Sequence, residues 1–345
     1  MRRIIERCFS QPLRKYLNIL GEEFIQCLHM LPGISPKDNI LSAIEWREPW
    51  WLPCPMFDGS VKIVEHGLVE HRSEGVDDWG VAWTLKDPFS DGFPTGHPLK
   101  TLKDLDKYSP PPLPRGKIIE PVLEGIRRVN RKTSLIALDQ GWGIFERAWL
   151  LVGGMPKLFL WSKLYPDAVN ELMDMVVEVK LEILEIILEE ANFDIVMYGD
   201  DWGMEDRLLF SPEWRRRFLK PRHEKLYKAV RRSGALCYLH SDGCIEALIP
   251  ELVEMGVDIL NVQRECNNWA RILRDFQGNL TLWGGVSART LDRGTLDQVS
   301  AEVNECIKLG RKGGVIMAPG HSLRYKGENI EAMKKAWIEK ALYHN

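Results

Sequence analysis

The chain has 345 residues, of which 45% are hydrophobic and 28% charged, and its formal net charge is −3. That composition excludes a disordered chain, and the length suits one large α/β domain or two ordinary ones. The near-balanced charge argues against nucleic-acid binding by bulk electrostatics, and no apolar run reaches the ~18 residues of a membrane span.

The start, Met1–Ser10, carries Arg2, Arg3, Glu6 and Arg7 and lacks the apolar core of a secretion signal. Seven cysteines without a Cys-x-x-Cys pair fit free thiols in a cytoplasmic protein. Pro36–Trp46 has the pattern of a short helix, broken by Glu48-Pro49-Trp50-Trp51-Leu52-Pro53-Cys54-Pro55. Extended stretches follow at Val61–Glu70 and Trp79–Thr84, and the proline cluster Pro110–Pro112 with Pro114 marks a turn or linker.

Beyond it the pattern becomes regular. Short apolar runs at Ser134–Leu138, Phe193–Tyr198, Ala235–Leu239, Val257–Val262, Leu280–Trp283 and Val315–Ala318 are spaced by longer helical patterns. Apolar throughout, these runs predict strands buried on both faces of a parallel sheet. The helices include Asp167–Ala191, one started by Ser211-Pro212-Glu213 with a capping serine, Ile245–Met255, Thr295–Leu309 and Glu328–Leu342. Strand–helix alternation of this kind predicts a (β/α)8 TIM barrel with an irregular N-terminal segment covering the C-terminal rim. The whole chain, 1–345, forms one domain: 1–114 hold the cap and first barrel elements, 115–345 the regular units. A doubly wound open sheet is the alternative, but Gly141-Trp142-Gly143 supplies only two glycines of a phosphate loop.

Every predicted strand ends in a polar, aromatic or glycine-rich cluster: Asp139-Gln140-Gly141-Trp142, Gly199-Asp200-Asp201-Trp202-Gly203, His240-Ser241-Asp242-Gly243, Asn261-Val262-Gln263-Arg264-Glu265, Trp283-Gly284-Gly285 and Pro319-Gly320-His321. In a barrel these converge on one rim, the usual place for chemistry. His240, Asp242 and His321 form a sufficient donor set for zinc, with Glu265 as a further ligand; the plain alternative has Asp242 capping a helix near Cys244 and bonding His240. Cys244 is an outside thiol candidate. Asp200 and Asp201 are adjacent and face opposite sides, so one enters the site and the other caps the loop. Gln263 is placed to bind substrate, and Trp142, Trp202 and Trp283 at three strand ends suggest an aromatic-walled pocket. Trp50, Trp51, Trp79 and Trp83 lie in the covering segment. The acidic series Glu171, Asp174, Glu178, Glu182, Glu185 and Glu189, and the basic one from Arg215 to Arg232, have the spacing of solvated helix faces.

Tyr198-Gly199-Asp200-Asp201-Trp202-Gly203, Ser211-Pro212-Glu213-Trp214, His240-Ser241-Asp242-Gly243, the run Met255–Gln263, Trp283-Gly284-Gly285 and Ala318-Pro319-Gly320-His321, in that order, resemble the uroporphyrinogen decarboxylase superfamily. Asp77-Asp78-Trp79-Gly80 resembles an element ahead of its barrel. The resemblance implies a single barrel with its pocket at the C-terminal rim. It is closer to the corrinoid-dependent methyltransferases and demethylases than to the true decarboxylases. No arginine follows the Trp50-Trp51 stretch, where decarboxylases hold the tetrapyrrole's carboxylates.

The methyltransferases' His-x-Cys and later cysteine correspond here to His240-x-Asp242 and His321, a harder donor set suited to a substrate oxygen or nitrogen. The expected activity is therefore methyl transfer from a small methoxy or methylamine donor to a cobalamin carried by a separate corrinoid protein. His240, His321 and Asp200 or Asp201 would be catalytic, Zn²⁺ would assist, and a homodimer is compatible. Tetrapyrrole decarboxylation, or ligand binding without catalysis, are the alternatives.

Overall fold

The computed structural model describes residues 33–85, 92–321 and 325–343. The Met1–Ser10 reading, with Cys8 and Cys27, lies outside them. Seven parallel strands form one curled sheet: β1 (Val61–Glu65), then a three-stranded antiparallel ribbon of β2 (Gly75–Val76), β3 (Ala82–Thr84) and β4 (Phe93–Gly96) set apart from it, then β5 (Leu135–Trp142), β6 (Ile195–Gly199), β7 (Leu236–Ser241), β8 (Ile259–Val262), β9 (Thr281–Val286) and β10 (Val315–Pro319). The large sheet runs β1-β5-β6-β7-β8-β9-β10, in strict chain order. A doubly wound sheet reverses its strand order part-way, so this order excludes it and gives the TIM-barrel-like class.

Beside β10, Met317 N–H donates to the Pro53 carbonyl oxygen at 2.8 Å. Pro53 and Pro55 have no N–H to return, so the segment around them borders the sheet without becoming a strand. The predicted extended stretches are shorter than expected. His66 Nδ1 accepts from Leu68 N–H at 3.2 Å and turns the chain after Glu65, and only Ala82–Thr84 of the second stretch pairs.

The helices follow the expected order: α1 (Pro36–Ile44), α2 (Pro55–Asp58), α3 (Leu102–Leu105), α4 (Arg115–Arg127), α5 (Ile144–Val152), α6 (Met155–Leu164), α7 (Pro166–Leu188), α8 (Pro212–Phe218), α9 (Lys220–Arg232), α10 (Ile249–Met255), α11 (Trp269–Asp275), α12 (Ala288–Arg293), α13 (Leu296–Leu309) and α14 (Gly327–Lys340). Ser211 caps α8 by accepting from Trp214 N–H, with Pro212 in the first turn.

Strand alternation divides the core in two. Val61, Leu135, Ala137, Ile195, Met197, Tyr238, Ile259, Trp283, Ile316 and Ala318 fill the inside of the curl, with Ile40 of α1 among them. Val64, Ile136, Leu138, Val196, Leu239, Leu260, Leu282 and Met317 face the helices. Each such side chain contributes roughly 1.5–3 kcal/mol by burial. The acidic stripe of α7 is solvated as expected at Glu171, Glu178, Glu182, Glu185 and Glu189. The basic series is corrected at two positions. Arg215 is buried, bonded to Glu251 at 2.7 Å and stacked over Trp202, and Arg222 is buried against Asp174 and Asn170. No helix of the described residues is long and apolar enough to cross a membrane.

His66 gives the fold a pH dependence. Its Nε2 is sealed from solvent with no hydrogen-bond partner, and burial lowers its pKa to about 4. Unfolded histidine titrates near 6.5, so the unfolded chain takes up this proton first as pH falls. The His66 contribution is therefore intact above about pH 6.5 and lost on the way down to about 4, by at most about 3 kcal/mol. The stability difference between the wild type and His66→Gln should fall by that amount between pH 7 and 4. A difference that stays flat would sink this reading.

Candidate active site

Loops at the C-terminal ends of β6, β7 and β8 are laced together. Asp200 N–H donates to the His240 carbonyl at 3.0 Å, Trp202 N–H to Ser241 Oγ at 3.0 Å, Gly203 N–H to the Asp242 carbonyl at 3.1 Å, and Cys244 N–H to the Met204 carbonyl at 2.7 Å. On the other side, Gly243 N–H donates to Gln263 Oε1 at 3.0 Å, and the Asn267 side chain bonds both the Gly243 carbonyl and Ile245 N–H.

These bonds bring the strand-end residues into one group. One donor atom each from His240, Asp242 and His321 lie within 4.8 Å of one another, and all three residues are partly accessible. They form the ligand-capable group of three or more among the described residues. His240 Nε2 lies 3.5 Å from Asp242 Oδ1 and 3.6 Å from Asp201 Oδ1, and His321 Nε2 lies 3.7 Å from Asp242 Oδ2. Asp242 is pushed up by burial and by Asp201, against the pull of His240 and His321. Two imidazoles and a carboxylate, all partly accessible, fit a divalent cation with a free position.

The two adjacent aspartates separate as strand geometry requires. Asp201 faces His240 and accepts from Asp242 N–H at 2.8 Å. Asp200 is fully buried on the other side. It accepts from Phe145 and Glu146 N–H at the start of α5, at 3.1 and 2.9 Å, and pairs with His223 at 3.2 Å. Asp200 is thus a helix cap supplied from a neighbouring strand, and of the two only Asp201 faces the site.

Several expected site residues take other roles. Trp202 is fully buried against His223 and Arg215. Both ends of the Gln263 amide are engaged, by Gly243 N–H and by Asp242 Oδ1 at 2.8 Å, so it braces the loop. Trp283 is inside the curl, edge-on to Tyr238. Glu265 accepts from Ser287 Oγ and is outside the three-residue group. Cys244 is also outside it, and the 3-10 turn that begins nearby at Glu246 has no side-chain cap, so Asp242 does not cap it. Trp142 is half-buried at the rim, stacked on His71 and edge-on to Trp83. Trp79 and Trp83 donate to Glu70 and Asp77, and Trp51 to Asp58, so these indoles are structural.

One residue escaped the sequence reading. Glu146, in the first turn of α5, is pushed well above the usual carboxylate range by burial and then by Asp201 and Asp200. Its protonated form is thereby favoured, in the company of Asp201, Asp200 and Asp242. The only sequence signal was an acid just after Gly141-Trp142-Gly143. The glycines themselves are explained by packing. A Cβ on Gly141 would lie 2.0 Å from Glu70 Oε2, and one on Gly143 2.3 Å from the Asp200 side chain. They make room for carboxylates, where a phosphate loop would use its glycines for a ligand.

The sequence model of the uroporphyrinogen decarboxylase (URO-D) family matches residues 87–339, which span the rim loops just described. This chain belongs to the URO-D family. No curated protein matches it. A solved methyltransferase from Methanosarcina mazei is 21% identical, with 89% of this chain and 99% of that one covered at a TM-score of 0.67. This likeness shows a shared fold, consistent with URO-D membership. A Bacteroidetes-affiliated GH5 cellulase is 12% identical over 88% of this chain and 94% of its own, at a TM-score of 0.36, an overlay too loose to bear on fold or site.

Proposed function

We propose that this URO-D family protein is a methyltransferase that takes a methyl group from a small methoxy or methylamine compound and passes it to a cobalt corrinoid carried by a separate protein. The observation that carries the reading is the convergence of His240, Asp242 and His321 within 4.8 Å. The shared fold with a protein named as a methyltransferase supports it. A divalent cation such as Zn²⁺, held by those three residues, would supply Lewis-acid polarisation of the methyl-bearing heteroatom.

The chain's own residues do the rest. Glu146, whose protonated form is favoured by burial and by Asp201 and Asp200, gives its proton to the departing oxygen or nitrogen. Asp201 faces His240 and orients the donor, and Trp142 offers a partly open aromatic face at the rim. Tetrapyrrole decarboxylation is disfavoured by charge. Asp201 and Asp242 gather at the group, while the Arg147 guanidinium is buried and committed to Asp77 and the Glu70 carbonyl. A polycarboxylate would meet repulsion from those carboxylates, and Arg147 is not free to clamp it.

The test is metal analysis of the purified protein, followed by incubation with Co(I) corrinoid protein and a panel of methoxyaromatics and methylamines. A bound divalent ion and methyl–cobalt absorbance with some panel member are expected. His240→Ala should lose the ion and slow the reaction on the order of 100-fold or more. Absence of methyl transfer with every donor, or CO₂ release from uroporphyrinogen, would overturn the assignment.

A further inference from the structure

His240 stands one pleat above Tyr238 on β7, and Asn261 pairs with it in register from β8. The Asn261 side chain makes two contacts. Its Nδ2 donates to the Trp283 carbonyl oxygen on β9 at 2.5 Å, and its Oδ1 meets His240 Nδ1 in a short hydrogen bond.

The first contact decides the second. A peptide carbonyl can only accept, so the Trp283 oxygen fixes which end of the amide is NH₂. That leaves the amide oxygen facing His240. An amide oxygen also only accepts, so Nδ1 must carry hydrogen. The lone pair of the neutral ring is then on Nε2, the atom facing Asp242 and Asp201.

An independent feature points the same way. Gly284 follows Trp283 with φ +124, and a Cβ there would lie 2.8 Å from Asn261 Nδ2. The glycine leaves the space in which the amide sits. The chain of constraint thus runs from the β9 backbone through Asn261 to His240.

We propose that Asn261 is a positioning residue that locks His240 in its Nδ1–H tautomer and presents Nε2 as the ligating atom, with Gly284 as the position that admits it. Its consequence for metal binding rests on the methyltransferase reading above, whereas the tautomer itself does not.

The tautomer is read without metal or substrate, by ¹⁵N-histidine NMR of the full metal-free chain at about pH 9.5, well above the ordinary histidine pKa of about 6.5. The His240 signal, assigned by its loss in His240→Gln, should show the Nδ1–H form. An Nε2–H ring, or an averaged pair, would overturn the proposal. Co²⁺ titration followed by visible absorbance tests the consequence. Asn261→Leu and Gly284→Ala should weaken binding by roughly 10–100-fold. Asn261→Asp, whose carboxylate can still accept from Nδ1–H but cannot donate to the Trp283 carbonyl oxygen, should lie between wild type and Asn261→Leu. Wild-type affinity in Asn261→Leu would also overturn the proposal. If the wild type itself takes no Co²⁺, the metal reading fails while the NMR result still decides the role of Asn261. The wild-type spectrum likewise decides if Asn261→Leu does not fold.

Discussion

Gly243→Ala is expected to destabilise the protein by more than about 3 kcal/mol and to remove metal binding at the same time. Gly243 has φ +77, and a Cβ on it would lie 2.2 Å from the Gly203 carbonyl carbon and 2.4 Å from its oxygen. Both are backbone atoms, so no side chain can rotate away. The reverse contact is as close, since a Cβ on Gly203 would lie 2.4 Å from Cys244 N. The crossing is held by Gly203 N–H to the Asp242 carbonyl and Cys244 N–H to the Met204 carbonyl. Forcing it open would break those bonds and carry Asp242 away from Asp201 and His240. Gly234→Ala is the control. Its φ is +83, but nothing lies within 4 Å of the added carbon, so only left-handed strain of about 1–2 kcal/mol remains. Urea unfolding of both variants, compared at unchanged m, separates the two effects. Equal losses would show that the loop crossing is not tight.

The crossing joins two motifs, Gly-Asp-Asp-Trp-Gly and His-Ser-Asp-Gly, that stand out in the sequence, and this shows what was legible. Period and length identified six of the seven large-sheet strands. Because barrel strands all point one way, placing His240, Asp242 and His321 at strand ends was enough to bring them together across about eighty residues. Alternation also separated Asp200 from Asp201, though not which of them faced inward. What stayed hidden depends on the third dimension. Glu146 is an ordinary helix-start acid until β6 places Asp201 and Asp200 against it. The tryptophans were read as walls or cover of a pocket because a residue type does not reveal where its N–H finds an acceptor. Trp79 and Trp83 find buried carboxylates, and Trp202 is sealed beneath Arg215. Gln263 had a substrate-binding chemistry but spent it on the neighbouring loop. Lys180 lies on a helix correctly read as having a solvated acidic stripe, yet it falls on the opposite side and is fully buried.

Lys180→Met is the second large effect, with an expected cost of about 3–5 kcal/mol near neutral pH. Lys180 Nζ donates to both Glu70 oxygens at 2.6 and 2.7 Å and to the Gln140 carbonyl at 2.6 Å. Glu70 also accepts from Trp142 N–H at 3.1 Å and Trp79 Nε1 at 3.2 Å, so it ties the covering segment to the end of β5. Burial alone would raise the Glu70 carboxyl, but the Lys180 and Arg147 cations hold it below the usual range. In the wild type, the Glu70 contribution is therefore complete above the unfolded glutamate pKa of about 4.3 and is lost as pH falls through the lower folded value. Without Lys180 the sign reverses. Burial dominates, the folded carboxyl moves up, and the penalty for leaving it charged grows as pH rises above about 4.3. The stability gap between wild type and Lys180→Met should accordingly be widest near pH 7 and narrow towards pH 4. Adding Glu70→Gln removes the stranded charge, so the double variant should lose less than the two single losses combined. Because Glu70 bonds Trp142 N–H, Lys180→Met should also loosen the turn leading into α5, where Glu146 stands, and slow turnover before it unfolds the chain. Chemical denaturation of the single and double variants at pH 7 and pH 4.5 measures the stability changes, and a methyl-transfer assay of Lys180→Met the turnover. Additive losses, or a gap independent of pH, would mean that Lys180 contributes packing alone.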